Sequence, residues 1–154
     1  MRDPKRVKGF TLVEIMVVVT LIGLLAMLSV PAFKRVKLRA VSATFTSDMR
    51  LFTEAFQRYA QENGSFPPIS DPGVMPDGMS GYIDLYDWSR TTPIGGNFRW
   101  LSTPEGGGAV MVAGSTLSLE EMQLIDDWMD DGNVSTGFVN VSGAGTVVLY
   151  IVEI

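Results

Sequence analysis

The stretch from Phe10 to Phe33 reads FTLVEIMVVVTLIGLLAMLSVPAF, and it decides what kind of fold this sequence encodes. It is almost wholly apolar and carries one acidic residue, Glu14. At about 1.5 Å per residue, an α-helix from Phe10 to Val30 extends roughly 30 Å, which matches the hydrocarbon core of a bilayer. The stretch therefore predicts a helix that is long enough to span a membrane.

Composition excludes several classes of function. The chain has 154 residues and contains neither cysteine nor histidine. It therefore forms no disulfide, no thiolate or imidazole metal site, and no cysteine or Ser-His-Asp catalytic group. No pair of carboxylates stands out as an acid-base pair, so we do not expect an enzyme. About 120 residues follow the apolar stretch, which is enough for one small head domain.

Charge is distributed unevenly along the chain. Residues 1 to 39 hold eight Lys or Arg and two acids, whereas residues 40 to 154 hold four Arg and fifteen acids. The acidic part should repel a phosphate backbone, and we expect no nucleic-acid partner.

A short motif precedes and enters the apolar stretch. The basic segment MRDPKRVK ends at Gly9, and the chain continues with the elements Phe10, Thr11, Leu12, Glu14 and, further on, Pro31. This arrangement resembles the signature of type IV prepilins. The resemblance implies that residues 1–9 are a leader, that a prepilin peptidase cleaves after Gly9, and that the new terminus at Phe10 is methylated. A secretory signal peptidase site after Ala32 is the alternative, and it would release a soluble protein that begins at Phe33.

Glu14 needs a partner if the apolar helix enters a membrane. An acid in a spanning helix costs about 2.5 to 3.5 kcal/mol near the centre and less near an end. Cleavage after Gly9 would create a free amino group on Phe10, one helical turn away, and Glu14 can pair with it within a chain or between neighbours. The resemblance implies the neighbour, so that Glu14, with Thr11, Leu12 and Pro31, determines assembly. A glutamate that reaches the lipid headgroups is the alternative.

The resemblance also implies a location and partners. The flanking charges do not determine orientation, because four Lys or Arg lie on each side of the apolar stretch. By resemblance, the amino terminus lies in the cytoplasm and the head in the periplasm, with the helix in the bacterial inner membrane before the chain joins a filament. The partners implied are further copies of the chain, minor pseudopilins, prepilin peptidase and an inner-membrane assembly platform.

The helix should continue beyond the membrane. Pro31 should kink or loosen it without ending it, because helical periodicity resumes at once. Apolar residues then follow one face of residues 34–62, at Val41, Phe45, Met49, Phe52, Phe56 and Tyr59, while polar residues such as Ser42 mostly occupy the other faces. The sequence Asn63-Gly64 predicts the end of the helix. The half at 10–33 must then pack against lipid and, after assembly, against other copies.

The sequence of the head, residues 63–154, predicts loops, a short helix and an antiparallel sheet. Residues 69–81 read as a loop, Gly95-Gly96-Asn97 as a turn, and residues 98–101 and 109–113 as strands. Ser118 and Glu121 form a capping-box pattern. They open a helix whose buried face comprises Met122, Ile125 and Met129, with Leu124 and Trp128 beside them. Residues 137–141 and 146–154 predict a closing β-hairpin.

An acidic cluster near the end of this helix is a candidate metal site. It comprises Asp126, Asp127, Asp130 and Asp131, with Asn133 beside them. Their oxygens suit Ca²⁺, and the heads of the resembling family often carry a structural calcium, but the spacing does not match an EF-hand loop. A solvated acidic helix end is the alternative interpretation.

Together these patterns predict an α+β, pilin-like chain with a long amino-terminal helix packed on a small antiparallel β-sheet of about four strands. The function that follows by resemblance is a structural subunit of a type IV-like filament, in particular a type II secretion pseudopilin. Two alternatives stay open, namely a type IV pilus pilin for adhesion or motility and a membrane-anchored binding domain that never polymerises.

Overall fold

A computed structural model describes residues 9–102, 107–137, 139–142 and 147–152. Its helices are α1 (Leu12–Asn63), a 3-10 turn (Met79–Gly81), α2 (Leu85–Ser89) and α3 (Leu119–Met129). Its strands are β1 (Asn97–Ser102), β2 (Gly108–Ala113), β3 (Val139–Ser142) and β4 (Val147–Val152). The predicted α+β class is confirmed.

The chain divides into two compact units, the first ending at Lys37 and the second beginning at Leu38. Helix α1 contributes residues to both units. This division concerns packing within the chain, so the limits drawn above for the leader at 1–9 and the membrane-spanning segment at 10–33 stay predictions.

In the first unit, α1 has apolar side chains on all its faces, and they are exposed. The hydroxyls of Thr20 and Ser29 donate to the carbonyls one turn earlier, at Met16 and Leu25, over 2.7 and 2.9 Å. These bonds satisfy the hydroxyls within the helix itself. Pro31 lies inside α1 without ending it, as predicted.

In the second unit, α1 buries one face. Phe45, Met49, Phe52 and Phe56 are fully buried, and Val41 and Tyr59 pack at the edge of the same core. The predicted stripe is therefore confirmed. Ser42 departs from the prediction, because it is buried although its polarity placed it on another face. It lies one turn from Phe45 and Leu38, and a small hydroxyl is tolerated there.

The four strands form one antiparallel sheet in the order β1-β2-β4-β3. Strands β1 and β2 pair as neighbours in sequence, as do β3 and β4, so the predicted closing β-hairpin is confirmed. The residues between β3 and β4, at 143–146, lie outside the described residues. Gly108 opens β2 because a β-carbon there would collide with the Trp100 ring on the paired strand. Glycine at position 108 thus allows β1 and β2 to pair beside the Trp100 ring.

Aromatic side chains join α1 to the sheet. Phe56 stacks on Trp100 with the ring centroids 3.8 Å apart, and Phe52 meets Phe98 edge to face at 4.8 Å. Trp88 contacts both Phe52 and Phe56. Such pairs add about 0.5 to 1.5 kcal/mol to the burial of their area. This cluster holds the outer half of α1 against the strands.

Helix α2 was not predicted from the sequence. Asp84 caps α2 by accepting a hydrogen bond from the Tyr86 amide over 2.8 Å. The indole of Trp88 donates to the Val74 carbonyl over 2.8 Å, and so ties α2 to the preceding loop. Just after α2, Arg90 pairs with Asp48 of α1 at 2.7 Å. Burial raises the pKa of Asp48, although Arg90 opposes that rise.

Helix α3 begins with the predicted capping box between Ser118 and Glu121. Met122 and Ile125 are buried and Met129 is partly buried, as predicted. The predicted burial of Leu124 and Trp128 is wrong, because both side chains are exposed. The inward face comprises positions 122, 125, 126 and 129. The inward position that the sequence analysis did not include is Asp126, which is fully buried.

Candidate functional site

The residues around the predicted cleavage site form the start of α1. Gly9, Phe10 and Thr11 precede the helix, which begins at Leu12. The Thr11 hydroxyl accepts a hydrogen bond from the Glu14 amide over 3.3 Å and so caps the helix. This capping role was not assigned from the sequence, although Thr three residues before Glu is its usual signal. Glu14 lies in the first turn, where the positive end of the helix dipole favours a carboxylate.

The apolar surface of the first unit is the dominant feature of this region. Large apolar side chains from Phe10 to Val36 are all at least 48% exposed. A soluble monomer rarely exposes a contiguous apolar surface of this size, which marks contact with membrane or protein. By length and composition, α1 contains a segment that is apolar enough to cross a membrane, with a mean hydropathy of 2.5 and none of it buried.

Two details of this surface bear on helix packing. Val13, Met16, Val17, Thr20 and Leu21 line a shallow apolar groove along α1. At Gly23, an added β-carbon would meet no described side chain within 4 Å. A small residue with free space beside it permits the close approach of a second helix.

The acidic cluster predicted to bind metal is only partly assembled. Carboxylate oxygens of Asp126, Asp130 and Asp131 lie within 4.8 Å of one another. The structure does not include Asp127 in this group. The Asn133 side chain accepts from the Ser135 amide, and the Asn133 backbone amide donates to Asp131 over 2.8 Å, so Asn133 orders the loop.

Asp126 is the unusual member of the cluster. Both of its carboxylate oxygens are buried, and neither has a hydrogen-bond partner among the described residues. Burial, reinforced by the charges of Asp130 and Asp131, raises the pKa of Asp126 to about 6. The amides of Asn133 and Gly132 lie close enough to oppose this rise, but they fall short of hydrogen-bond geometry. By contrast, a hydrogen bond from the Thr136 hydroxyl lowers the pKa of Asp131.

These residues fit a divalent cation. Oxygens about 2.4 Å from a Ca²⁺ ion can be at most about 4.8 Å apart, which agrees with the observed separation. A buried carboxylate without a partner is the group that a cation would satisfy. The burial of Asp126 was missed from the sequence, but its position one turn after Met122 and three residues before Met129 is the pattern that indicates it.

Comparison with known proteins identifies a family model and relatives that this chain matches. Residues 4–30 match the family model described as the prokaryotic N-terminal methylation motif. Over 112 residues the chain is 31% identical to type II secretion system core protein G of Klebsiella michiganensis, covering 65% of this chain and 77% of that protein. The protein of the same name from Escherichia coli K12 is 39% identical over 67 residues, or 44% of this chain and 46% of that protein.

A solved structure shares the fold. The major type IV pilin PilA1 from Clostridium difficile matches with a TM-score of 0.51 at 16% identity, covering 74% of this chain and 95% of that one. The long amino-terminal helix, the antiparallel sheet and the methylation motif therefore define a pilin-like protein. Within that class, the chain belongs to the family of type II secretion system core protein G, the major pseudopilin. The resemblance drawn from the prepilin motif is thereby confirmed.

Proposed function

We propose that this chain is a structural subunit of a type II secretion pseudopilus, a filament built from many copies. The observation that carries the proposal is the surface of residues 10–36, which is apolar on every side and is not covered by the other residues that the structure describes. Such a surface needs lipid before assembly, and other helices of the same kind satisfy it afterwards.

Processing at Gly9 gives Glu14 its role in this proposal. Cleavage after Gly9 leaves an amino group at Phe10, which methylation keeps cationic, directly before the first turn of α1 where Glu14 lies. In an apolar helix bundle, a carboxylate and an ammonium group of neighbouring copies satisfy each other only in one axial position. Glu14 therefore fixes the register in which subunits pack.

Location and partners follow from the same reasoning. The subunit first spans the inner membrane with its amino terminus in the cytoplasm and its head in the periplasm, and then moves into the filament. Its partners are further copies and minor pseudopilins, with prepilin peptidase and an inner-membrane platform acting during processing and assembly. The similarity to two core proteins G supports a secretion pseudopilus over a surface pilus.

Replacement of Glu14 by alanine tests the function. We expect E14A to insert in the membrane as well as the wild type while filaments sheared from cells fall at least tenfold, a loss of about 1.4 kcal/mol or more per contact. Glu54→Ala is the matched control, because Glu54 is an exposed glutamate of the same helix outside the apolar segment. Filament formation by E14A at the wild-type level would favour a simple membrane anchor.

We further propose that the loop after α3 binds one structural Ca²⁺ ion. Asp126, Asp130 and Asp131 would hold it through their carboxylates, with Asn133 positioning Asp131. The two positive charges of the ion would offset most of the negative charge of three carboxylates at the carboxyl end of a helix, where negative charge is unfavourable. Its role would be to stabilise the head.

A further inference from the structure

The outer half of α1 carries a positively charged face, which we call the basic face. It comprises Arg39, Ala43, Thr46, Ser47 and Arg50, and it lines an open groove of about 580 Å³ together with Trp128 of α3. The spacing of 4, 3, 1 and 3 residues places these side chains on one side of the helix. Small and hydroxylated residues form the floor between two arginines.

The two arginines of the basic face have no acidic partner among the described residues. Arg39 lies over the Trp128 ring, with its guanidinium carbon 5.5 Å from the ring centroid. The ion pairs within the described chain involve Arg58 and Arg90, and not Arg39 or Arg50. In a head with fifteen acids and four arginines after residue 40, two arginines left in one groove are available to an acidic partner.

Helix α3 offers a surface of opposite charge, which we call the acidic face. Glu120, Gln123, Leu124 and Asp127 are exposed and line a second shallow groove. Their spacing of 3, 1 and 3 residues again gives one side of a helix. Leu124 protrudes between the two carboxylates and is 43% exposed. The same Leu124 is the residue that the sequence wrongly placed in the core.

We propose that the basic face of one copy docks on the acidic face of the next copy in the filament. Leu124 would insert above Ala43, where the groove floor is smallest, and Glu120 and Asp127 would lie toward Arg39 and Arg50. Arg39 and Arg50 are eleven residues apart, or roughly 16 Å along the helix, and Glu120 and Asp127 roughly 10 Å. Arginine side chains are long enough to converge over that difference. This inference rests on the proposed function, because it names the contact between heads within the filament.

The two faces share no residue, and this determines the kind of assembly. A contact between two different surfaces of identical subunits is heterologous, so each copy keeps one free face of each kind after binding a neighbour. Such a contact extends into a helical filament. An anionic lipid surface would also attract Arg39 and Arg50, but it would supply no partner for the acidic face. Charge complementarity therefore favours a second copy over lipid.

Cysteine crosslinking tests the contact directly, because the natural chain contains no cysteine. Full-length Ala43→Cys and Leu124→Cys chains, carrying different tags, would be expressed together in cells that assemble filaments and then oxidised. We expect a mixed-tag dimer on a denaturing gel, and no dimer when either variant is expressed alone. Mixed expression of Leu124→Cys with Leu51→Cys is the control and should give no dimer, because Leu51 is exposed about 80° around α1 and roughly 12 Å along it from Ala43. A dimer of Ala43→Cys with itself, or no mixed dimer within filaments, would overturn the proposal.

Charge exchange provides the second test. Arg50→Glu should reduce sheared filaments about tenfold, and adding Asp127→Arg should restore most of them, since like charges across a contact repel and the exchange restores attraction. Asp77→Lys should leave the yield unchanged as the charge-altering control, because Asp77 is an exposed acid that lines neither groove. If Asp127→Arg fails to rescue Arg50→Glu, the proposed contact between the two faces is wrong. If the wild type itself forms no filament, the proposed function fails instead, so the two failures are distinguishable.

Discussion

The two halves of α1 are continuous in the helix but differ in what covers their apolar residues. Up to Lys37, apolar side chains occupy all sides of the helix and remain exposed. From Leu38 onward they follow one side and are buried by the strands and by Trp88. The first pattern suits a helix surrounded by apolar material on all sides, and the second suits a helix on the surface of a core.

Burial within one chain therefore stabilises only the part of α1 that follows Lys37. The outer half obtains its stabilisation from the chain's own core. The first half has equally apolar residues, and no other described residue covers them, so its stabilisation has to come from lipid or from other copies. Three predictions test this contrast, beginning with the largest effect, and two more concern the head alone.

Removal of residues 1–37 should abolish membrane association and leave the fold of the head intact. A chain that begins at Leu38 keeps every residue of the buried core. We expect it to remain in the supernatant after membrane sedimentation and to unfold within a few degrees of the full chain in detergent. An insoluble or unfolded product would mean that the first half contributes to the fold of the head.

Two phenylalanines of the same helix offer the sharpest contrast in stability. Phe56 is fully buried and stacked on Trp100, whereas Phe33 is 72% exposed. Phe56→Ala should lower the free energy of unfolding by about 3 to 5 kcal/mol, because it removes a large buried side chain. Phe33→Ala should change it by less than about 0.5 kcal/mol. Denaturant unfolding in detergent measures both, and equal effects would contradict the division of α1.

The sequence could predict most of this contrast. The burial of Phe45, Met49, Phe52 and Phe56 followed from their spacing, and the exposed apolar half from its unbroken run of apolar residues. Helix α2 was missed because five residues are too few to display a period, and because Trp88 is fixed by a hydrogen bond to distant Val74. Leu124 was placed in the core on hydrophobicity alone, although the spacing of α3 gives that inward position to Asp126.

For the candidate metal site, the sequence could predict the types of ligand but not which side chains converge. Five acidic or amide residues within eight positions indicated oxygen ligands, but the sequence does not reveal which carboxylates converge. The structure brings together Asp126, Asp130 and Asp131, because α3 ends at Met129 and the chain turns back toward β3. The assembly residues from Gly9 to Glu14 depend on processing and on neighbouring copies, so their roles stay predictions.

The buried Asp126 gives a pH-dependent prediction of intermediate size, confined to the head. Its pKa is raised from 3.8 to about 6 in the folded chain, so the folded state retains a proton that the unfolded chain has released. Without metal, stability should therefore fall as the pH rises from about 4 to about 6 and stay lower above that range. Thermal unfolding in a chelator at pH 5 and pH 7 measures this.

Calcium should reverse that loss, because it favours the ionised carboxylate. At pH 7 we expect Ca²⁺ to raise the wild-type Tm by about 4 to 8 °C, which corresponds to roughly 1 kcal/mol. Asp126→Asn should abolish this effect and raise the metal-free Tm. Asp127→Asn, the adjacent exposed carboxylate, should retain the effect. An equal loss in both variants would contradict the assignment of ligands.

The smallest expected effect is on the free energy of unfolding when either of two helix caps is removed. Ser118 accepts from the Glu121 amide at the start of α3, and Thr11 accepts from the Glu14 amide at the start of α1, both over 3.3 Å. Ser118→Ala should lower the free energy of unfolding of the head by about 1 kcal/mol. Thr11→Ala should leave it unchanged, because its helix end lies outside the head's core. Chemical denaturation of both variants checks this, and a comparable loss from Thr11→Ala would be evidence against the contrast.

We expect copies of the same helix to cover the apolar half of α1 in the filament. A high-resolution reconstruction of sheared filaments by electron cryomicroscopy tests this expectation. We predict that residues 10–33 of neighbouring chains pack together at the filament axis, and that each Glu14 carboxylate lies within about 4 Å of a neighbour's Phe10 amino nitrogen. Chains that begin at Phe33, or a first half of α1 that faces solvent on the outside of the filament, would contradict it.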